Sequence, residues 1–296
     1  MRVVIASVNN KTKTMRMVGY RNPQMFVFSR GAREYISMKF DKFAAYHESV
    51  QAPKEDVRFL RRLYREINDS EPTVLREDFC GTFAICCEWV RLGEDKKAIG
   101  LDIDPQPLAY GTQHYLGALS DSQRSRIHTL RRDVLSYSGG KADISCALNF
   151  SYYIFHSRAT LLRYFKSCRR SLRSGGIMVI DSFGGPLCGK SSVEVKRLPG
   201  FTYYWEQEDF DPINNRARFH IHFKPRSGRK QMRAFSYDWR MWTIPELRDV
   251  MIDAGFRDVL VYWEGTAADG SGTGKYHRRK KGESCPAWIA YIVGCV

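Results

Sequence analysis

Val74-Leu75-Arg76-Glu77-Asp78-Phe79-Cys80-Gly81-Thr82-Phe83, followed by Ile99-Gly100-Leu101-Asp102-Ile103-Asp104-Pro105, decides how this chain reads. An apolar run ends in acids and a glycine turn, a helix-length segment follows, and a second apolar run ends in an acid. That is the layout of a βαβ unit that holds a nucleoside. Gly81 lets the backbone approach a ligand closely, and Asp102 can accept hydrogen bonds from both hydroxyls of a ribose. A nucleoside cofactor is the expected ligand.

A pyrophosphate cofactor calls for G-x-G-x-x-G and a free helix N-terminus aimed at the anion. Here Phe79 and Phe83 flank the single Gly81, which argues against NAD. The arrangement resembles motif I of class I S-adenosylmethionine-dependent methyltransferases, an acid followed by G-x-G-x-G. Glu77 falls on the acid, Gly81 on the middle glycine, and Phe79 and Phe83 on the outer two. A mostly bacterial group of these enzymes carries a similar E-D-F-C-G-T form. An ordinary strand-turn-helix of a non-binding α/β protein is the alternative for the turn alone.

The succession downstream keeps the same register. Leu130-Arg131-Arg132-Asp133-Val134 places an acid after a short apolar stretch, where the family's next motif sets one near the adenine amino group. Ala142 to Phe150 reads as a fourth strand ending in polar Asn149. Ser157 to Arg173 reads as a helix with Leu161, Phe165, Cys168 and Leu172 on one face, closed by Gly175-Gly176 and followed by the strand Ile177 to Asp181. Alternating strands and helices of this kind form a doubly wound sheet with its crevice at the strands' C-terminal ends. The resemblance, over residues 40 to 296, implies a mostly parallel seven-stranded α/β sheet with its last strand antiparallel. It also implies S-adenosylmethionine as cofactor, with contacts from Glu77, Phe79, Cys80, Gly81, Asp102, Ile103, Asp133, Val134 and Asn149.

Three alternating stretches, Phe201 to Asp211, Arg216 to Lys224 and Gln231 to Trp242, read as an antiparallel meander inserted at about 183–243. Such an insert looks like the substrate cover of many small-molecule methyltransferases. Thr243-Ile244-Pro245-Glu246 is a capping box that starts a helix ending at Gly255. Val259 to Trp263 and Ala287 to Val293 read as the last two strands, joined by a long polar loop from Gly265 to Ser284.

The 296 residues, 43% hydrophobic, suffice for a substantial core, and no apolar run reaches the ~18–20 residues of a membrane span. A soluble protein without a membrane partner is expected. Eight cysteines without a C-x-x-C pattern read as buried thiols of a reducing, cytoplasmic setting. Net charge is +15, which raises a nucleic-acid partner, but part of the excess sits in an acid-free stretch over residues 1–33 and in Arg278-Arg279-Lys280-Lys281. Residues 1–37 are open to three readings: a mitochondrial transit peptide, a disordered basic arm, or sequence upstream of a start at Met38, where the domain at 38–296 begins.

Methyl transfer from a sulfonium is an in-line displacement, so the enzyme mainly positions the acceptor and, where needed, takes its proton. Asn149, Tyr152 and His156 are the catalytic candidates. Tyr46, Tyr153, Trp205, Tyr237, Trp239 and Arg240 are the substrate-binding candidates, with Glu48 beside them; aromatic faces suit a methylated or cationic amine. Packing within a meander is the plainer role of those aromatics. His220 and His222 share a strand face without a third ligand, and no metal is assigned. Asn149-Phe150-Ser151-Tyr152 is faintly similar to the N-P-P-Y signature of amino methyltransferases, with both prolines missing. The expected function is methylation of a small-molecule acceptor; the alternatives are an RNA or protein methyltransferase and a non-catalytic cofactor-binding protein of the same fold.

Overall fold

The computed structural model describes residues 40–137 and 139–296; the arm expected over 1–37 and the start at Met38 lie outside the described residues. Among the described residues, two helices precede the sheet. In α1 (Lys42–Val50), Asp41 caps the first turn by accepting the N–H groups of Phe43 and Ala44, both at 3.0 Å. In α2 (Pro53–Asn68), proline sits at the first turn, where its missing N–H costs nothing, and Val57, Leu60, Leu63 and Tyr64 form the buried stripe.

The core then alternates: β1 (Val74–Asp78), α3 (Ala84–Val90), β2 (Lys97–Asp102), α4 (Pro105–His114), α5 (Asp121–Arg124), β3 (Ile127–Arg131), β4 (Ala142–Ala147), α6 (Arg158–Arg170) and β5 (Leu172–Gly184). A second group of strands follows, β6 (Ser192–Leu198), β7 (Phe201–Asp211), β8 (Arg216–Pro225) and β9 (Gln231–Arg240). The chain closes with α7 (Ile244–Asp253), β10 (Asp258–Thr266), β11 (Gly272–Arg278) and β12 (Trp288–Cys295). None of the described helices is long and apolar enough to cross a membrane.

Eight strands form the main sheet in the order β11-β10-β12-β5-β4-β1-β2-β3. β1 to β5 pair in parallel, and β12 runs antiparallel between β5 and β10. Connections reverse direction between β1 and β4, and that reversal opens a crevice at the carboxyl ends of the strands. β6 to β9 make a separate four-stranded antiparallel sheet.

Three details differ from the sequence reading. The main sheet has eight strands and not seven, because β11 lies inside the segment read as a polar loop. β11 is an edge strand with only Tyr276 buried, so it carries no apolar alternation to reveal it. The insert has four strands and not three for the same reason: β6, Ser-Val-Glu-Val-Lys-Arg-Leu, is largely exposed. Finally, α6 stops at Arg170, and Leu172 opens a 13-residue strand that runs through Gly175-Gly176. Gly175, at φ 73°, marks an irregularity in β5 and not the end of a helix.

Candidate functional site

A cavity of about 310 Å³ lies at the carboxyl ends of β1, β2 and β4. Its floor is the β1–α3 loop. There Phe79, Gly81 and Phe83 all take left-handed backbone, at φ 56°, 54° and 46°. For the two phenylalanines that conformation costs on the order of 1 kcal/mol each, so surrounding bonds must hold it. Cys80 N–H donates to Leu101 O at 2.9 Å, Phe83 N–H to Cys80 O at 2.7 Å, and Gly81 N–H to Asp102 Oδ2 at 2.7 Å. A Cβ added at Gly81 would meet no atom within 4 Å, so this backbone borders open space.

The two phenylalanines part company. Phe79 lines the cavity and packs on Phe155 and Tyr164, with both ring centroids at 5.9 Å. Phe83 is fully buried against α4, where a Cβ on Gly111 would come within 2.5 Å of its ring. The bulk of Phe83 is thus absorbed by the absent side chain of Gly111.

Asp102 ends β2 with each oxygen already accepting one backbone N–H, Oδ2 from Gly81 and Oδ1 from Asp104 at 2.8 Å. Each oxygen keeps a further lone pair. Burial raises its pKa. Glu77 Oε2 accepts Cys86 N–H at 3.1 Å and the Cys86 thiol at 3.0 Å, and burial pushes the carboxyl up to about 8. Next to it, Asp78 is held by Arg76, with Nε to Oδ1 at 2.7 Å and Nη2 to Oδ2 at 3.0 Å, and it accepts the Tyr164 hydroxyl at 2.8 Å. This buried, bidentate pair anchors the end of β1.

At the end of β4 the backbone is left-handed twice in succession, Asn149 at φ 60° and Phe150 at φ 57°. Both N–H groups point at Asp181, Asn149 to Oδ2 at 2.9 Å and Phe150 to Oδ1 at 2.8 Å. Burial pushes the Asp181 carboxyl up to about 6. The roof comes from α1 and from β9: Tyr46 together with Phe235, Tyr237 and Trp239. Burial pushes the Tyr46 hydroxyl up to about 12.

No protein-family model matches this chain, and no curated protein sequence does. Solved structures match it closely in shape. An S-adenosylmethionine-dependent methyltransferase from Clostridium acetobutylicum is 17% identical, with 86% of this chain and 97% of that one covered and a TM-score of 0.65. A sugar N-methyltransferase from Streptoalloteichus is 19% identical over 92% and 99%, with a TM-score of 0.58. An S-adenosylmethionine-bound amino pentose methyltransferase from Micromonospora echinaspora is 15% identical over 87% and 99%, with a TM-score of 0.60. This chain has the class I methyltransferase fold.

Within that fold the structure sorts the residues singled out from the sequence. Glu77, Phe79, Cys80, Gly81, Asp102 and Asn149 line the cavity, as do Tyr46, Tyr237 and Trp239. Ile103, Asp133 and Val134 do not. Ile103 is 66% exposed beyond β2, Asp133 turns back to accept Leu135 N–H at 2.9 Å, and Val134 packs into the core. Among the catalytic candidates, Tyr152 is wholly buried and donates to the Asp181 backbone carbonyl at 2.9 Å. His156 lies outside the lining and bonds the Asp238 carbonyl at 2.8 Å, joining the β4–α6 segment to β9. Only Asn149 of the three borders the cavity.

Tyr153, Trp205 and Arg240 also support the site from behind. Tyr153 is fully buried and shares a hydrogen bond with Ser182 at 2.7 Å, and Trp205 stacks on Phe219 at 5.2 Å beneath Trp239. Arg240 donates to His156 O and to Glu246, both at 3.0 Å. Glu48 is exposed, and His220 and His222 each bond a glutamate of β7, Glu208 and Glu206. Lys42 and Phe235 were not singled out beforehand. Lys42 Nζ sits 5.0 Å from the Phe43 ring centroid and 5.1 Å from that of Phe235, at the cavity wall.

Proposed function

We propose that the chain is an S-adenosylmethionine-dependent methyltransferase that acts on a small-molecule acceptor. The observation that carries this reading is one cavity with a nucleoside corner, Gly81 beside Asp102, and an aromatic roof of Tyr46, Phe235, Tyr237 and Trp239. The residues fit the cofactor. Asp102 has spare lone pairs for two ribose hydroxyls, Gly81 opens onto free space, and the E-D-F-C-G-T loop keeps the glycine-type backbone through Phe79 and Phe83. Asn149 Oδ1 is buried without a hydrogen-bond partner among the described residues, which leaves the amide a bond to make when the site fills.

When bound, the cofactor supplies an electrophilic methyl group on sulfur. The chain's own residues align and enclose. Asp102 and Gly81 hold the nucleoside end, and Asp181 fixes the Asn149-Phe150 backbone that borders the acceptor side. The roof excludes water and orients the acceptor, which is where an alignment-limited displacement gains most. Lys42 already lies over the Phe43 and Phe235 rings, which leaves Tyr46, Tyr237 and Trp239 as the roof aromatics that could border an acceptor amine.

The solved structures named for sugar and amino-sugar methylation support an acceptor of that size. Labelled S-adenosylmethionine incubated with the enzyme and either a metabolite extract or total RNA, at two salt concentrations, tests the proposal. Label in a small molecule with weak salt dependence is expected. Label in RNA with a steep salt penalty would overturn the acceptor class, because each phosphate contact adds to the salt slope.

A further inference from the structure

Among the described residues β6 is an unpaired edge of the four-stranded sheet, and its outward backbone has a self-complementary pattern. Pro199-Gly200 joins β6 to β7 as a two-residue connection, with Leu198 opposite Phe201 as the closing pair. In an antiparallel hairpin, hydrogen-bonded pairs alternate with non-hydrogen-bonded ones from that closing pair. Ser192, Glu194, Lys196 and Leu198 therefore direct their N–H and C=O groups to β7. Val193, Val195 and Arg197 direct theirs away from the sheet, and no other described segment pairs with that edge. Val193 and Val195 are 55% and 54% exposed. A long unpaired edge of this kind is a template for another strand.

We infer that β6 pairs with the β6 of a second copy of this chain, antiparallel and centred on Val195. The register follows from chemistry. A two-fold axis can fall on an outward residue, as a hydrogen-bonded pair, or on an inward one, as a non-hydrogen-bonded pair. Of the inward residues, Glu194 and Lys196 would each face their own copy, like charge on like charge, and Ser192 or Leu198, at the strand's ends, would leave most of it unpaired; the centre is then Val193, Val195 or Arg197. Centring on Arg197 would set it against its own copy, and like charges directly opposite destabilise a sheet. Centring on Val193 would leave Arg197 beyond the paired segment. Centring on Val195 pairs Val195 with Val195 and Val193 with Arg197, so all six outward N–H and C=O groups of each strand find partners.

The same register solves a problem on the sheet's inner face. Glu194 is half-buried and makes no ion pair or side-chain hydrogen bond among the described residues, and burial alone pushes its carboxyl up to about 7. Pairing centred on Val195 places Lys196 of the second copy directly opposite Glu194, in a non-hydrogen-bonded pair, the geometry that brings side chains closest. Each protomer gives one such carboxylate and one such ammonium, so the contact forms twice. Lys196 Nζ also donates to Ser49 O of α1 at 3.2 Å, which ties the paired edge to the helix that carries Tyr46 in the roof.

The inference stands apart from the methyltransferase reading, because its readout is mass in solution. Sedimentation velocity on the full chain is expected to show a dimer. Val195→Pro removes an N–H that the single chain does not use, and edge strands tolerate proline; it is expected to give a monomer with unchanged circular dichroism. Glu194→Lys sets two lysines opposite each other and is expected to raise the dimer dissociation constant about tenfold or more. Adding Lys196→Glu restores opposite charges and is expected to restore the dimer. Should Val195→Pro fail to fold, the charge reversal and its rescue decide alone. A monomeric wild type overturns the inference, as does a dimer that withstands Val195→Pro in folded form or a charge reversal that the second substitution does not rescue.

Discussion

The carboxylate of Asp102 accepts the backbone N–H of Gly81 at 2.7 Å, so the acid that ends β2 holds in place the glycine that ends the β1 turn. One residue thereby shapes the loop and presents acceptors to whatever lies over it. Asp102→Ala should abolish most of the thermal stabilisation by S-adenosylmethionine. Hydrogen bonds to a charged acceptor are worth about 1.5–3 kcal/mol each, so with two ribose bonds lost calorimetry should find affinity lower by roughly a hundredfold or more. Unaltered affinity would remove Asp102 from the binding site.

Gly111→Ala tests how the fold accommodates Phe83. The added Cβ would lie 2.3 Å from Thr82 O and 2.5 Å from the Phe83 ring, so α4 must shift off the loop. Urea denaturation should show a loss of about 1–3 kcal/mol, the usual range for overpacking. Retained stability would mean that α4 is free to move away from the loop.

Asp181→Asn probes the carboxylate that binds two consecutive N–H groups. The amide keeps one acceptor oxygen and turns a donor toward the other N–H, leaving a buried donor unsatisfied. A loss of about 1–3 kcal/mol in chemical denaturation is expected, with weaker acceptor turnover because Asn149 lines the cavity. Full activity and stability in this variant would show that the left-handed pair holds itself.

Glu77 supplies a pH signature. Its folded-state pKa, about 8, lies above the ordinary value of 4.5 because burial penalises the charged form. The group's stabilising contribution is fully present below its unfolded pKa and is lost as pH rises through about 8. The melting temperature of the wild type should fall across that window, and Glu77→Gln, which cannot ionise, should flatten the fall. A decline of equal steepness in both proteins would place its origin elsewhere.

Much of the fold was legible along the chain because burial on both faces of a parallel sheet leaves continuous apolar runs, as in Ile177-Met178-Val179-Ile180 of β5, where every residue is buried. The capping box at Thr243 and Glu246 formed as read, since it needs only four consecutive residues. β6 and β11 escaped notice because an exposed edge strand imposes no periodicity on its side chains. Site residues divided along the same line. Gly81 and Asp102 announce themselves by their positions at strand ends, and both line the cavity. Asp133 also follows a strand end, yet it does not line the cavity and its Oδ1 accepts an N–H of its own loop, an outcome that local spacing does not encode. Lys42 and Phe235 lie almost two hundred residues apart in sequence, and Tyr152 and Tyr153 are adjacent to Asn149 but turn into the core. The sequence by itself determined the alternation of core strands and helices and the acids at their ends, because those depend on local periodicity and turn chemistry. Only the tertiary structure decided which side chains share the cavity, because that depends on where α1 and the second sheet settle against the first.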